Sequence, residues 1–140
     1  MDAEILHQRA AVRHDFDRQL AHEWTTADAF RHIAAGAGAL PGFYERLGTG
    51  ELDGFTGDAA AAGNSQTISR MAELSRGELG AMILEGSEVS AAFVETLDDD
   101  DLATPIALGD YRMPKAELVA QIWIHHQIAH AYEASYRWPL

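Results

Sequence analysis

The stretch Ile122-Trp123-Ile124-His125-His126-Gln127-Ile128-Ala129-His130-Ala131-Tyr132-Glu133 holds three of the chain's seven histidines within an apolar run. No glycine or proline occurs from residue 115 to 138, so this stretch is predicted to be helical. Residues four apart in a helix lie one turn above each other, with about 5–6 Å between their Cβ atoms. His126 and His130 are therefore predicted to point the same way and to be able to bind one metal ion. His125 lies about 100° away around the helix.

The same pair of histidines resembles part of the H-E-x-x-H motif of metalloproteases, in which the glutamate is the general base. The corresponding residue here is Gln127, which cannot accept a proton, so the protease interpretation is rejected. The pair needs a third ligand from elsewhere in the chain. One stripe of the predicted helix changes from apolar to polar, as expected where a helix leaves the core for a polar pocket. It consists of Val119, Ile122, His126, Ala129, His130 and Glu133.

The composition predicts one globular domain covering residues 1–140, since 47% of the 140 residues are hydrophobic. The 22 acidic and 10 basic residues give a net charge of −12, which disfavours binding to nucleic acids and to anionic membranes. No apolar run is long enough to span a membrane and no signal-peptide pattern is present, so we expect a cytoplasmic protein. The absence of cysteine excludes disulfides, thiolate ligands and a cysteine nucleophile.

Hydrophobic periodicity predicts four helices. They run from residue 4 to about 22, from about 26 to 47 with a kink or break at Pro41, from 65 to 97, and from Pro114 to about 136. Residues 48–64 are predicted to form a long surface connection, which lets the next helix start at the opposite end of a bundle. The acidic run Asp98-Asp99-Asp100-Asp101 is predicted to be a solvated loop. The alternation around Gly109-Asp110 predicts a small hairpin before the last helix.

Local signals predict where these helices begin and bend. Thr25 with Asp28 resembles a capping box at the start of the second helix. Either Asn64 or Ser65 is predicted to cap the third helix, and Pro114 suits the first helical position of the last. The small residues from Gly36 to Ala39 would let another helix approach closely. Three glycines are candidates to bend or split the third helix: Gly77, Gly80 and Gly86.

Four helices with one inserted hairpin predict an all-α fold, a four-helix bundle with long connections. Bundles build metal sites between facing helices from inward histidines and carboxylates. His32, on the second predicted helix, is the natural partner of His126 and His130. Three neutral imidazoles with one open position form the layout of a catalytic divalent-metal site. Imidazole suits zinc, nickel, copper or iron, so these ligands do not fix the metal.

Two motifs carry a resemblance to a known family. Trp24-Thr25-Thr26-Ala27-Asp28-Ala29-Phe30-Arg31-His32-Ile33 resembles the start of the second helix in the DinB-like superfamily, which includes the N-terminal domain of mycothiol-dependent maleylpyruvate isomerase. His126-Gln127-Ile128-Ala129-His130 is similar to the family's His-x-x-x-His on the last helix. The resemblance covers most of the chain. It implies an up-down-down-up bundle, frequently dimeric, with a divalent metal on His32, His126 and His130, for which we expect zinc or nickel. For some members it also implies transferase or isomerase chemistry with a low-molecular-weight thiol.

Two acidic residues lie near the predicted centre. Glu133 shares a face with His126 and His130 and is the candidate catalytic residue, placed to orient His130, to bind the metal or to act as a base. Asp28, one turn before His32, is a candidate to orient that histidine. The alternatives are a solvated helix end for Glu133 and a helix-capping role for Asp28. Two functions remain open: a thiol-dependent transferase or isomerase, and a non-catalytic bundle that binds metal or a small ligand.

The aromatic residues near the C-terminus predict an interface between subunits. Tyr132, Tyr136 and Trp138 are large side chains that would be costly to leave in water. Aromatic residues are also enriched in the buried cores of interfaces. Together with the family resemblance, this predicts a homodimer, for which a closed two-fold pair is the commonest arrangement. A small-molecule ligand or substrate is the other expected partner.

Overall fold

The computed structural model describes residues 16–20 and 23–134, which are mostly helical with one two-stranded sheet. The helices are α1 (Thr26–Ala37), α2 (Leu40–Arg46), α3 (Gly57–Arg70), α4 (Arg76–Val94), α5 (Asp99–Leu102), α6 (Lys115–Val119) and α7 (His126–Ala134), and the strands are β1 (Pro105–Leu108) and β2 (Tyr111–Pro114). A π-helical segment, Ala120–His125, joins α6 to α7, so the three form one continuous last helix. None of these helices is long and apolar enough to cross a membrane.

The predicted first helix is wrong where the structure describes it, because residues 16–20 are not helical. Gln19 forms an isolated antiparallel bridge with Thr25, and the Thr26 N–H donates to the Arg18 carbonyl at 2.9 Å. These bonds occupy backbone groups that a helix would have needed for its own ladder. The preceding part of that predicted helix lies outside the described residues.

The second predicted helix is divided in two, which confirms the break predicted from Pro41. α1 ends at Ala37 and α2 begins at Leu40, with Pro41 in its first turn. Proline lacks an N–H and its ring clashes with the preceding turn, so it is tolerated where a helix begins and not in its interior. The capping box predicted at the start of α1 is also confirmed, with Thr25 and Asp28 exchanging bonds between side chain and backbone.

The predicted connection over 48–64 is too long, because α3 begins at Gly57. Thr56 caps this helix by accepting a hydrogen bond from the Ala59 N–H. The alanines that follow are the best helix formers of all residue types. Neither predicted cap, Asn64 or Ser65, lies at a helix end, since both are inside α3.

The predicted third helix is interrupted between Arg70 and Arg76. The break is not at any of the three glycines proposed for it. Ser75 and Glu78 form a capping box in which each side chain bonds the other's backbone N–H, and this starts α4 as a new helix.

The region before the last helix contains one confirmed prediction and two corrections. The hairpin is present, with β1 and β2 paired antiparallel around Gly109, whose φ of +56° suits glycine. The acidic run is not simply a loop, because Asp98 caps the short helix α5. Pro114 is the N-cap of α6 and not its first helical residue.

One polar network fixes the start of the last helix against α2 and α5. The Lys115 ammonium lies 2.7 Å from Asp101, and the Tyr44 hydroxyl donates to the same carboxylate at 2.7 Å. This hydrogen bond and burial together raise the pKa of Tyr44 to about 12, with burial the larger cause. These contacts fix the position of Lys115, the first residue of the last helix.

α1 is the central helix of the described fold and packs against α3, α4 and α7. One core cluster joins α1, α4 and α7 through the buried side chains Ala29, Phe30, Ile33, Ala34, Leu79, Ile83, Ala131 and Ala134. A second cluster lies between α2, the hairpin and α6. The first cluster holds the face of α1 that carries His32 against α7.

Candidate metal centre

His32 on α1 meets His126 and His130 on α7, which confirms that these three predicted residues lie together. The Nε2 atoms of His32 and His126 are 2.8 Å apart. One ring nitrogen from each of the three histidines lies within 4.8 Å of the other two. His125, as predicted, takes another direction: it is exposed, and its Nδ1 lies 3.4 Å from the Gln121 Oε1.

The donor set fits a divalent metal ion. Zinc–nitrogen bonds of about 2.0–2.1 Å place the nitrogens of a tetrahedral site about 3.3 Å apart. The observed separations, from 2.8 Å to at most 4.8 Å, bracket that value, so small side-chain rotations bring the rings to it. Three imidazoles leave one coordination position for another ligand, and they suit zinc, nickel, copper or iron.

The electrostatics of the cluster keep its rings available as ligands. Burial, followed by the charges of the neighbouring His130 and His126 rings, lowers the pKa of His32 to about 4. Burial, with a smaller contribution from His130, also lowers the pKa of His126. Both rings are therefore neutral at pH 7. A metal ion does not have to displace protons from them, which is the usual competition at a histidine site.

The metal-free protein is expected to lose stability as the pH falls from 6.5 to 4. Across that range the unfolded chain takes up a proton at His32, whereas the folded protein, with a pKa of about 4, does not. The unfolded state therefore binds more protons, and the free energy of unfolding rises with pH. The lowered pKa of His126 acts in the same direction.

Urea midpoints measured with a chelator at pH 7.0, 5.5 and 4.5 check this expectation. The variant His32→Gln should show a smaller fall than the wild type, and His125→Gln should show the wild-type fall. If the urea midpoint fell equally with pH in the wild type and in His32→Gln, this pH dependence would not come from His32.

The two predicted acidic neighbours differ in their contacts. The Glu133 Oε2 lies 3.2 Å from the His130 Nδ1, so of its three predicted roles the geometry supports orienting His130 and leaving Nε2 directed to the cluster. Asp28 forms no hydrogen bond with His32. Its carboxylate accepts hydrogen bonds from Thr25 and from Arg31, each at 2.9 Å, because the capping box holds it at the helix end.

Sequence reasoning missed the aromatic cover of the cluster. The Trp24 ring lies 5.1 Å from the His32 ring and 5.4 Å from the His130 ring, centroid to centroid. The sequence signal was its position just before the helix cap of α1, and in the structure Thr25, the next residue, is bridged to Gln19. Trp24 therefore lies against two of the three rings of the cluster.

A small pocket of about 90 Å³ adjoins the rings on another side. The three histidines line it together with Ile33, Gly36, Ile122, Trp123 and Gln127. The π-helical segment that ends at His125 was not predicted, and it contributes Ile122 and Trp123 to this wall. Such segments are frequent at functional sites, because one wider turn changes the direction of neighbouring side chains.

Comparison of the chain with protein-family models, with curated proteins and with solved structures finds no match. Membership of the DinB-like superfamily therefore stays a prediction from the two histidine motifs.

Proposed function

We propose that the protein is a DinB-like four-helix bundle that binds a divalent metal ion, zinc or nickel, on His32, His126 and His130. The observation that carries the proposal is the convergence of three ring nitrogens from two helices, with the first two histidines 94 residues apart in sequence. A hydrogen bond between His32 and His126 would satisfy only that pair. A metal ion gives all three rings a common partner.

The pocket beside the rings favours an enzyme. Its volume of about 90 Å³ holds a few water molecules or the head of a small ligand. A divalent metal ion with an open position would lower the pKa of a water or thiol bound there. We propose a transferase or isomerase that acts with a low-molecular-weight thiol, in which Glu133 orients His130. The thiol comes from outside, since the chain has no cysteine.

The second candidate is a non-catalytic bundle that binds metal or a small ligand. The small size of the pocket that all three rings line favours it, because about 90 Å³ is too little for two reactants. The two candidates differ in whether the fourth coordination position accepts an external ligand.

Cobalt(II) in place of zinc distinguishes them, because its visible absorption reports the ligands around it. With an open position, adding 2-mercaptoethanol should change the spectrum of the cobalt-loaded protein and add a sulfur-to-cobalt charge-transfer band. An unchanged spectrum would contradict the thiol-dependent enzyme and favour the non-catalytic candidate. A spectrum that His126→Ala leaves intact would contradict the proposed ligands.

The homodimer also remains a proposal. Tyr136 and Trp138 lie outside the described residues, and Tyr111 on the hairpin is 68% exposed. Light scattering at micromolar concentration should give twice the chain mass of 15.3 kDa. A mass equal to that of one chain would contradict the dimer.

A further inference from the structure

A groove of about 580 Å³ lies between α4 and the last helix, at the end of α1. Most of its walls are apolar, and they include Ala37, Leu40, Val94, Val119, Trp123 and Ile128. Glu95 is its one charged residue among those that the structure describes, and no described lysine or arginine lines it. The groove therefore suits the uncharged, apolar part of a ligand, because charged groups are costly to remove from water.

Two polar groups that line the groove, the Ala37 carbonyl and the Ser90 hydroxyl, are paired with each other. The Ala37 carbonyl, left free where α1 ends, accepts hydrogen bonds from the Ser90 hydroxyl and, at 3.5 Å, from the Trp123 Nε1. These bonds tie α1 to α4 and to the last helix. They leave these groups with little hydrogen-bonding capacity for a ligand.

Gln127 differs from these paired groups. Its carboxamide is half-buried and forms no hydrogen bond with any residue in the described ranges. Gly36 leaves space for it, since a Cβ at that position would lie 3.7 Å from the Gln127 Nε2. An amide held in a partly buried position without a partner is available to donate to, and to accept from, a ligand.

The groove and the histidine pocket adjoin at Gln127 and Trp123, because both residues line both spaces. A molecule lying along the groove would therefore bring one end to the Gln127 amide, which also lines the histidine pocket. The volume of the groove, about six times that of the histidine pocket, gives room for the body of such a molecule.

We propose that this groove binds the apolar body of an uncharged small molecule whose hydrogen-bonding end meets Gln127 and faces the histidine centre. The inference rests on the proposed function, since the molecule is the substrate or ligand of the same centre. It adds the class of ligand: an aliphatic or aromatic body with a neutral polar end, such as an amide or a ketone. An anion is disfavoured by Glu95 and by the net charge of −12.

Three probes with chains of equal length and different charge test the ligand class. Octanamide, octanoate and octylamine are titrated by calorimetry into the full chain, with and without zinc. Octanamide is expected to bind at least tenfold more tightly than either charged probe. Equal binding of the three, tighter binding of a charged one, or no binding of octanamide would overturn the inference.

Two variants test the place of binding. Ala91→Phe introduces a ring into the groove from an exposed position on α4, and it should abolish octanamide binding. Ala92→Phe adds the same ring at the next exposed position, which does not line the groove, and it should leave the affinity within twofold. Binding to Ala91→Phe at wild-type strength would overturn the inference. If the wild type is a dimer that binds no octanamide and Ala91→Phe makes it a monomer, a second copy of the chain fills the groove, which also overturns the inference.

Gln127→Met tests the polar end, because methionine keeps the length of the side chain and removes the amide. Octanamide affinity should fall about 2- to 10-fold, the value of one net hydrogen bond, and an unchanged affinity would contradict the role of Gln127.

His126→Ala separates this inference from the metal proposal. This variant should lose zinc and still bind octanamide in the groove. If the wild type binds zinc but no form of the protein binds octanamide, the metal proposal stands and the groove inference is overturned.

Discussion

His126→Ala is expected to lower the affinity for zinc by more than about 100-fold. Even the removal of a group that only hydrogen-bonds to a metal ligand typically lowers metal affinity 10- to 100-fold. The same loss is expected for His32→Ala and His130→Ala, since one nitrogen from each ring lies within 4.8 Å of the others. Competition with a coloured chelator, on protein first stripped of metal, measures the dissociation constants.

His125→Ala is the matched control for this experiment. His125 precedes His126 directly, is exposed, and contacts Gln121 instead of the cluster. Its removal should leave zinc affinity unchanged. Equal zinc content in the wild type and His126→Ala, or equal losses in His125→Ala and His126→Ala, would show that zinc binds elsewhere.

Gly86→Ala is expected to destabilise the protein by about 1–3 kcal/mol, the usual cost of overpacking. A Cβ on Gly86 would lie 2.6 Å from the Gly38 backbone nitrogen and 2.9 Å from the Ala37 Cβ. The nearest atom belongs to the backbone, so α4 would have to move away from α1. This contact confirms the close helix approach predicted from the small residues at the end of α1, and it lies next to the Ala37 carbonyl that Ser90 and Trp123 share.

Gly63→Ala provides the comparison, because a Cβ there would meet no atom within 4 Å inside helix α3. It should stabilise the protein by up to about 1 kcal/mol, the difference in helix propensity between the two residues. Urea denaturation gives both free energies of unfolding. A Gly86→Ala variant as stable as Gly63→Ala would mean that the two helices do not pack as closely as described.

The three histidines could be predicted because two of them are related by local helix geometry. His126 and His130 needed only a four-residue spacing in an unbroken helix, and His32 followed from the way bundles face their helices. The break between α3 and α4 also has a local signal, the pair Ser75 and Glu78. A capping box satisfies N–H groups that a helix start leaves unpaired, whereas an interior glycine costs only about 1 kcal/mol and need not break a helix.

Other features depend on contacts between distant residues and could not be predicted. The bridge between Gln19 and Thr25, next to the Trp24 that lies against the histidine rings, has no periodic pattern to predict it. The π-helical segment has no glycine or proline to indicate it. The sequence shows that Gln127 cannot act as a general base. The position of its unpaired amide beside the groove depends on how α1 and α4 pack against the last helix.

His32, His126 and His130 are proposed to bind one metal ion together. Crystals grown with zinc, with diffraction measured on both sides of the zinc absorption edge, test whether they do. We predict one strong anomalous peak at about 2.0–2.1 Å from a ring nitrogen of each of the three histidines. The proposal would be contradicted if zinc peaks occurred only at surface carboxylates and no peak lay between the three rings.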